Sequence, residues 1–164
     1  MKTVLLLLMA LFNINAVIAQ TTSISANQCT KEVVPPASIC KRFLNNFPNT
    51  NPTWDMEGDN YIAQYKDDIT KRNRLVFINK NGNIVRSDSE MDGLSYPPAI
   101  VNFYHDTHPN EIFNVWISED NNGNRTYYSV LDTCVLWFDG KGNYAAKIEI
   151  GKNKSPQNYI SANQ

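Results

Sequence analysis

One succession of residues is written twice along this chain, and that repetition limits its architecture more than any other feature of the sequence. Pro35-Pro36-Ala37 returns as Pro97-Pro98-Ala99, Phe47-Pro48 as His108-Pro109, Trp54 as Trp116, Tyr61 as Tyr127, and Asn81-Gly82-Asn83 as Lys141-Gly142-Asn143. The order is kept throughout, and the spacing drifts only where turns are expected. Five matches in register argue for a duplicated unit of roughly 60 residues. Any fold proposed for the chain must therefore contain one supersecondary unit twice.

Periodicity indicates what that unit is. Ile39, Phe43 and Phe47 recur every fourth residue with Cys40 and Leu44 beside them, while Lys41, Arg42, Asn45 and Asn46 take the other side. This is an amphipathic helix opened by Pro35-Pro36 and closed by Pro48. From Pro52 to Arg86 the period changes to two. Trp54 and Met56 alternate with Thr53, Asp55 and Glu57, and Tyr61, Ala63 and Tyr65 with Ile62, Gln64 and Lys66. Half-buried strands read this way. The breaks at residues 57–60, 67–73 and 79–83 are rich in turn formers, the last with an Asn-Gly hairpin signal. In the second copy Ile100, Phe103, Tyr104 and Thr107 make the helical stripe, and strands are expected at Ile112–Ser118, Arg125–Leu131, Thr133–Asp139 and Asn143–Ile150. The expected fold class is α+β: a tandem duplication of a helix plus a four-stranded antiparallel sheet, with repeats at about 35–90 and 96–151. A sheet covered by one helix leaves a face bare, so the two units join edge to edge or pack their sheets together.

The chain ends carry different signals. Lys2, the apolar run Val4 to Phe12 and the small-residue pattern Val17-Ile18-Ala19 form a cleavable secretory signal over residues 1–19, cut before Gln20. The apolar run is too short to cross a bilayer, and no cysteine follows the cut to accept a lipid. Residues 20–34 are polar and read as a flexible leader, and residues 152–164 as a disordered tail. The remaining 35–151 is one domain, placed in the periplasm or outside the cell, with no membrane span after processing.

Fifteen Lys and Arg against sixteen Asp and Glu, with no basic block, lack the electrostatic footprint of a nucleic-acid binder. An oxidising compartment allows Cys29 and Cys40, which flank the first helix's entry, to pair; alternatively Cys40 is a small buried hydrophobe and Cys29 a free thiol. Cys134, inside an apolar strand, reads as an inert buried thiol. His105 and His108 are three apart on a helix, and Asp106 and Glu111 could complete a metal site, although surface histidines near a helix end are common. Asp67-Asp68 and Glu119-Asp120 sit in polar turns, and the triplets Asn124-Arg125-Thr126 and Asn153-Lys154-Ser155 match a glycosylation sequon that arises often by chance.

The aromatic residues are the most informative about function. Eight tyrosines, seven phenylalanines and three tryptophans exceed what two small helices cover, so some either sit between repeats or lie on an open sheet face. Tyr61, Tyr65, Trp116, Tyr127 and Trp137 are the candidate binding residues of such a face; the alternative is that they fill the core.

The segment Phe43 to Arg86, with Phe-Pro, then Trp54, Tyr61 and the Asn-Gly hairpin, followed by the Tyr-Pro-Pro-Ala restart at Tyr96, resembles the PepSY-like, β-lactamase-inhibitor-like small exported proteins of Bacteroidetes-type bacteria. The resemblance covers about Val34 to Gly151. It implies a fold like that of the β-lactamase inhibitor protein, a non-enzymatic role and no cofactor. His108 departs from the aromatic residue expected before the second helix-ending proline. The expectation is thus a monomeric exported module that binds a protein or peptide partner through an exposed sheet face or rim loops. The alternatives are an envelope glycan-binding protein and a small metal-dependent hydrolase using His105 and His108.

Overall fold

The computed structural model describes residues 33–150. The secretory signal, most of the leader, Cys29 and the tail lie outside the described residues, and so does the proposed pairing of Cys29 with Cys40. The Cys40 thiol donates to the Pro35 carbonyl at 3.8 Å.

Among the described residues two helices and eight strands follow in the order α1 (Ala37–Asn46), β1 (Thr53–Glu57), β2 (Asn60–Lys66), β3 (Asn73–Asn79), β4 (Ile84–Glu90), α2 (Pro98–Thr107), β5 (Val115–Asp120), β6 (Arg125–Val130), β7 (Cys134–Phe138) and β8 (Tyr144–Glu149). A short 3-10 turn at Gly93–Ser95, which the sequence reading did not anticipate, precedes α2; the Asp92 side chain caps it by accepting from the Leu94 N–H. Both helices begin where proline pre-sets the backbone, and both end with a cap N–H returning to the carbonyl four residues back, Phe47 to Phe43 and His108 to Tyr104.

All eight strands form one antiparallel sheet in sequential order. Of the two arrangements left open by the sequence, edge-to-edge joining is the one observed: β4 pairs with β5, from Arg86 opposite Asp120 to Glu90 opposite Trp116. Expected and observed strands differ most at β5, which starts at Val115 and not Ile112. Ile112 is 97% exposed, because residues after α2 are spent crossing from the helix layer back to the sheet.

Both helices lie on the same side of the sheet, by the strand positions they bury against. Ile39 and Phe43 of α1 pack on Ala63, Tyr65, Val76 and Ile78. Ile100 and Tyr104 of α2 pack on Val115, Leu136, Phe138 and Cys134. The thiol of Cys134 is therefore a core group, and burial pushes it above its ordinary range.

Three hairpins close with the same turn chemistry. In Asn79–Asn83, Asp120–Asn124 and Asp139–Asn143 the first side chain accepts from the N–H groups two and four residues on. The fourth residue is a glycine with φ of 81°, 81° and 85° respectively. An L side chain is strained there, and the surroundings set how much worse substitution becomes. A Cβ at Gly82 would come within 2.5 Å of Arg42 Cδ, the flexible part of an exposed side chain, whereas at Gly142 it would come within 2.7 Å of Pro97 Cβ and 3.2 Å of Ile100 Cγ1. Gly82→Ala is expected to cost about 1 kcal/mol and Gly142→Ala about 2–3 kcal/mol, because proline cannot swing away. Urea midpoints of the two variants compare them directly, and equal losses would refute rigid seating of α2 on the β7–β8 turn.

Candidate binding face

Alternation along each strand sends every second side chain to the face that the helices leave alone. Phe77 and Leu75 lie there because Val76 and Ile78 face α1. On β4 the same face takes Arg86, opposite Phe77, and Asp88, opposite Leu75. It continues through Ser118 opposite Asp88, then Trp116 opposite Tyr128, Tyr128 opposite Trp137, and Trp137 opposite Ala146. Tyr128, Val135 and Trp137 form a third apolar cluster, with Trp116, Val130 and Ile148 packed against it. The Trp116 and Tyr128 rings stack at 5.9 Å with 7° between planes, and Tyr128 and Trp137 lie at 5.0 Å and 42°.

Beside this aromatic row sits a buried charge pair. Arg86 Nε donates to Asp88 Oδ1 at 3.0 Å and Nη2 to Oδ2 at 2.9 Å, with side-chain exposures of 7% and 0%. Tyr128 Oη donates to Asp88 Oδ2 at 3.0 Å, joining the pair to the aromatic row. The guanidinium carbon lies 3.6 Å from the Phe77 ring centroid, a cation-π contact. Burial raises the Asp88 carboxyl, and Arg86, Ser118 and Tyr128 pull it back. Burial and the neighbouring Asp88 carboxylate keep the Tyr128 hydroxyl protonated well above its ordinary range. Glu57, half-buried near Arg86, is also raised by burial. A bidentate pair with a tyrosine on its carboxylate and an aromatic ring under its guanidinium is a fixed electrostatic feature, suited to orienting what binds beside it.

The five aromatic residues singled out from the sequence are divided by the sheet. Trp116 and Trp137 lie on the helix-free face. Tyr61, Tyr65 and Tyr127 do not: Tyr61 and Tyr127 sit opposite Ile78 and Phe138, which face the helices, and Tyr65 packs edge-on against Phe43 at 5.7 Å. Tyr65 is buried in the core and Tyr61 and Tyr127 pack partly buried against it, so one surface carrying all five is corrected to a face carrying the two tryptophans. Tyr128, Phe77, Arg86 and Asp88 were missed. The adjacent pair Tyr127-Tyr128 did hold a signal, since neighbouring strand residues must point to opposite faces.

The histidines are not gathered into one site. His105 is exposed, with Nδ1 3.0 Å from Asp106 Oδ1. His108 caps α2, with Nδ1 2.6 Å from Thr107 Oγ1 and its ring against Phe103 and Tyr104. It borders a cavity of about 580 Å³ with Glu111, Asp132, Cys134 and Lys147, which His105 does not reach. Among the described residues no group of three His, Cys, Asp or Glu side chains could hold a metal ion. Asp67 and Asp120 accept backbone N–H groups of their own turns, and Glu119 pairs with Arg125.

No family model matches the chain, and no curated protein does. Solved structures do match. A Bacteroides eggerthii protein described as periplasmic superposes with a TM-score of 0.64 at 14% identity, covering 74% of this chain and 94% of that one. A BLIP-like protein from Bacteroides fragilis gives 0.55 at 20%, covering 77% and 95%. A DUF2874 family protein from Bacteroides uniformis gives 0.63 at 14%, covering 75% and 95%. At these identities the likeness is one of fold: an α+β chain with two helices and an eight-stranded antiparallel sheet. Among the described residues no helix is long and apolar enough to cross a membrane.

Proposed function

We propose that this protein is an exported, non-enzymatic binding module that engages a protein or peptide partner through the helix-free face of its sheet. The observation that carries this reading is the row Trp116, Tyr128 and Trp137 lying beside the buried Arg86–Asp88 pair on a face that neither α1 nor α2 covers. Large amphipathic rings next to a fixed charge give a partner both contact area and orientation. Trp116, Val130 and Ile148 are only half-buried and would make the contact, with Tyr128 supporting them from below.

The rest of the reading is of one piece with this. The secretory signal is removed before Gln20, the mature protein works as a monomer in the periplasm or medium, and its domain at 35–151 arose by duplication of an α-β4 unit. The bulge between Phe77 and Ile78 on β3 and its counterpart between Trp137 and Phe138 on β7 support the duplication. Kinship with PepSY-like proteins belongs to the same proposal, and the fold shared with a BLIP-like protein favours a protein partner over a glycan.

The test is capture of partners on the immobilised mature chain from extracts of its source organism, with identification by mass spectrometry. A saturable partner should bind at least tenfold more weakly to Trp116→Ala, about 1.4 kcal/mol or more, and unchanged to Leu44→Ala on the exposed side of α1. A partner that ignores Trp116→Ala, or the absence of any saturable partner, would refute the helix-free face as the binding surface.

A further inference from the structure

The two halves of the sheet treat one aromatic position differently. In the first, Phe77 is opposite Arg86, a register shift follows, and Ile78 is opposite Ile84. In the second, Trp137 is opposite Ala146, the same shift follows, and Phe138 is opposite Tyr144. Phe77 and Trp137 thus hold equivalent places, as do Arg86 and Ala146. Over Phe77 the strand supplies its own guanidinium, 3.6 Å from the ring centroid. Beside Trp137 it supplies a methyl group, and a cavity of about 320 Å³ opens there, lined by Trp137, Asp139, Ala145, Ala146, Ile148 and Thr126.

The chemistry of that cavity fits the group it lacks. Its walls are mostly apolar, which suits the methylene stem of a long basic side chain. Indole is the best aromatic partner for a cation, and Trp137 is 9% exposed, so contact with it is largely desolvated. Asp139 brings a carboxylate, held below its usual range by hydrogen bonds from Asn143 and the Lys141 N–H. The cavity lies between β7 and β8, and among the described residues β8 is the last strand of the sheet.

We propose that this cavity receives the guanidinium of an arginine side chain, presented by the protein or peptide that docks on the helix-free face. The partner thereby supplies at Trp137 what Arg86 supplies at Phe77. The proposal rests on the binding-module reading of that face and adds to it a chemical requirement on the partner.

The experiment titrates the full mature chain with N-acetyl-arginine methylamide and, in parallel, with its citrulline and norleucine counterparts. The readout is the Trp137 indole N–H resonance, assigned by Trp137→Phe. The arginine probe should shift it saturably and bind about three- to tenfold more tightly than either neutral probe. Ala146→Arg, at an exposed position of an edge strand, should abolish the response by filling the cavity in cis while leaving the spectrum otherwise dispersed. Asp139→Asn should weaken binding several-fold yet keep its turn, because asparagine does the same work at Asn79. Equal responses to the three probes, no response to arginine up to its solubility, or a response unaffected by Ala146→Arg would each overturn the proposal. If that happens while Trp116→Ala still releases a captured partner, the binding face stands and only the guanidinium cavity falls. If both fail, the face itself is wrong.

Discussion

Asp88→Ala should destabilise the protein by about 3–5 kcal/mol, because it breaks a bidentate ion pair that is almost wholly out of water. The Arg86 side chain is 7% exposed and Asp88 takes two of its N–H donors, so the variant would take the bidentate acceptor away from a buried cation. It would also remove the acceptor of the Tyr128 hydroxyl. Removing the whole pair is a different perturbation. Arg86→Met with Asp88→Leu replaces both charges by apolar groups of similar size, and such exchanges are often neutral or stabilising. The double variant should therefore recover most of the loss, although Phe77 gives up its cation contact. Urea unfolding of the wild type, the single and the double variant measures all three terms. A single-variant loss below about 1 kcal/mol would mean that water reaches Arg86 and that the pair is not the rigid feature described above.

Phe43→Ala carries the second large effect, again about 3–5 kcal/mol. Phe43 is 1% exposed, and its ring meets Trp54 and Tyr65 edge-on at 5.4 and 5.7 Å and Phe47 at 5.0 Å. Truncation would remove the apolar transfer term and leave a hole bounded by three rings that cannot all move in. Phe47→Ala, at the half-buried end of the same stripe, should cost distinctly less. Denaturant midpoints that fall equally for the two would show α1 resting loosely on β1–β3.

Much of this fold was readable from local pattern. The four-residue recurrence of Ile39 and Phe43 gave α1 and its buried side, since a helix of ten residues offers only one stripe to a sheet. The Asn-Gly signal at Asn81-Gly82 marked the β3–β4 hairpin, because a left-handed turn position favours glycine, which has no Cβ to clash there. The same logic covered Gly142. It was less successful at β5, where the alternation beginning at Ile112 looked like strand but pairing with β4 reaches only from Glu90 opposite Trp116 to Arg86 opposite Asp120. A period of two shows that residues share a side; it does not show that a partner strand extends far enough to use them.

The candidate site was legible only in part, and the tyrosines show why. Alternation put Tyr61 and Tyr65 on one side of their strand, but the side on which a helix settles depends on contacts with Phe43 and Tyr104, far away in sequence. The sequence alone determined the order of helices and strands, their periods and the turn residues, because each follows from torsion preferences and hydrophobic spacing within a few residues. Tertiary structure alone decided that β4 joins β5 into one sheet, that Arg86 and Asp88 are buried together, and that a cavity opens beside Trp137. Those outcomes are set by groups that meet only after folding, as when Tyr128 reaches across 40 residues to the carboxylate of Asp88.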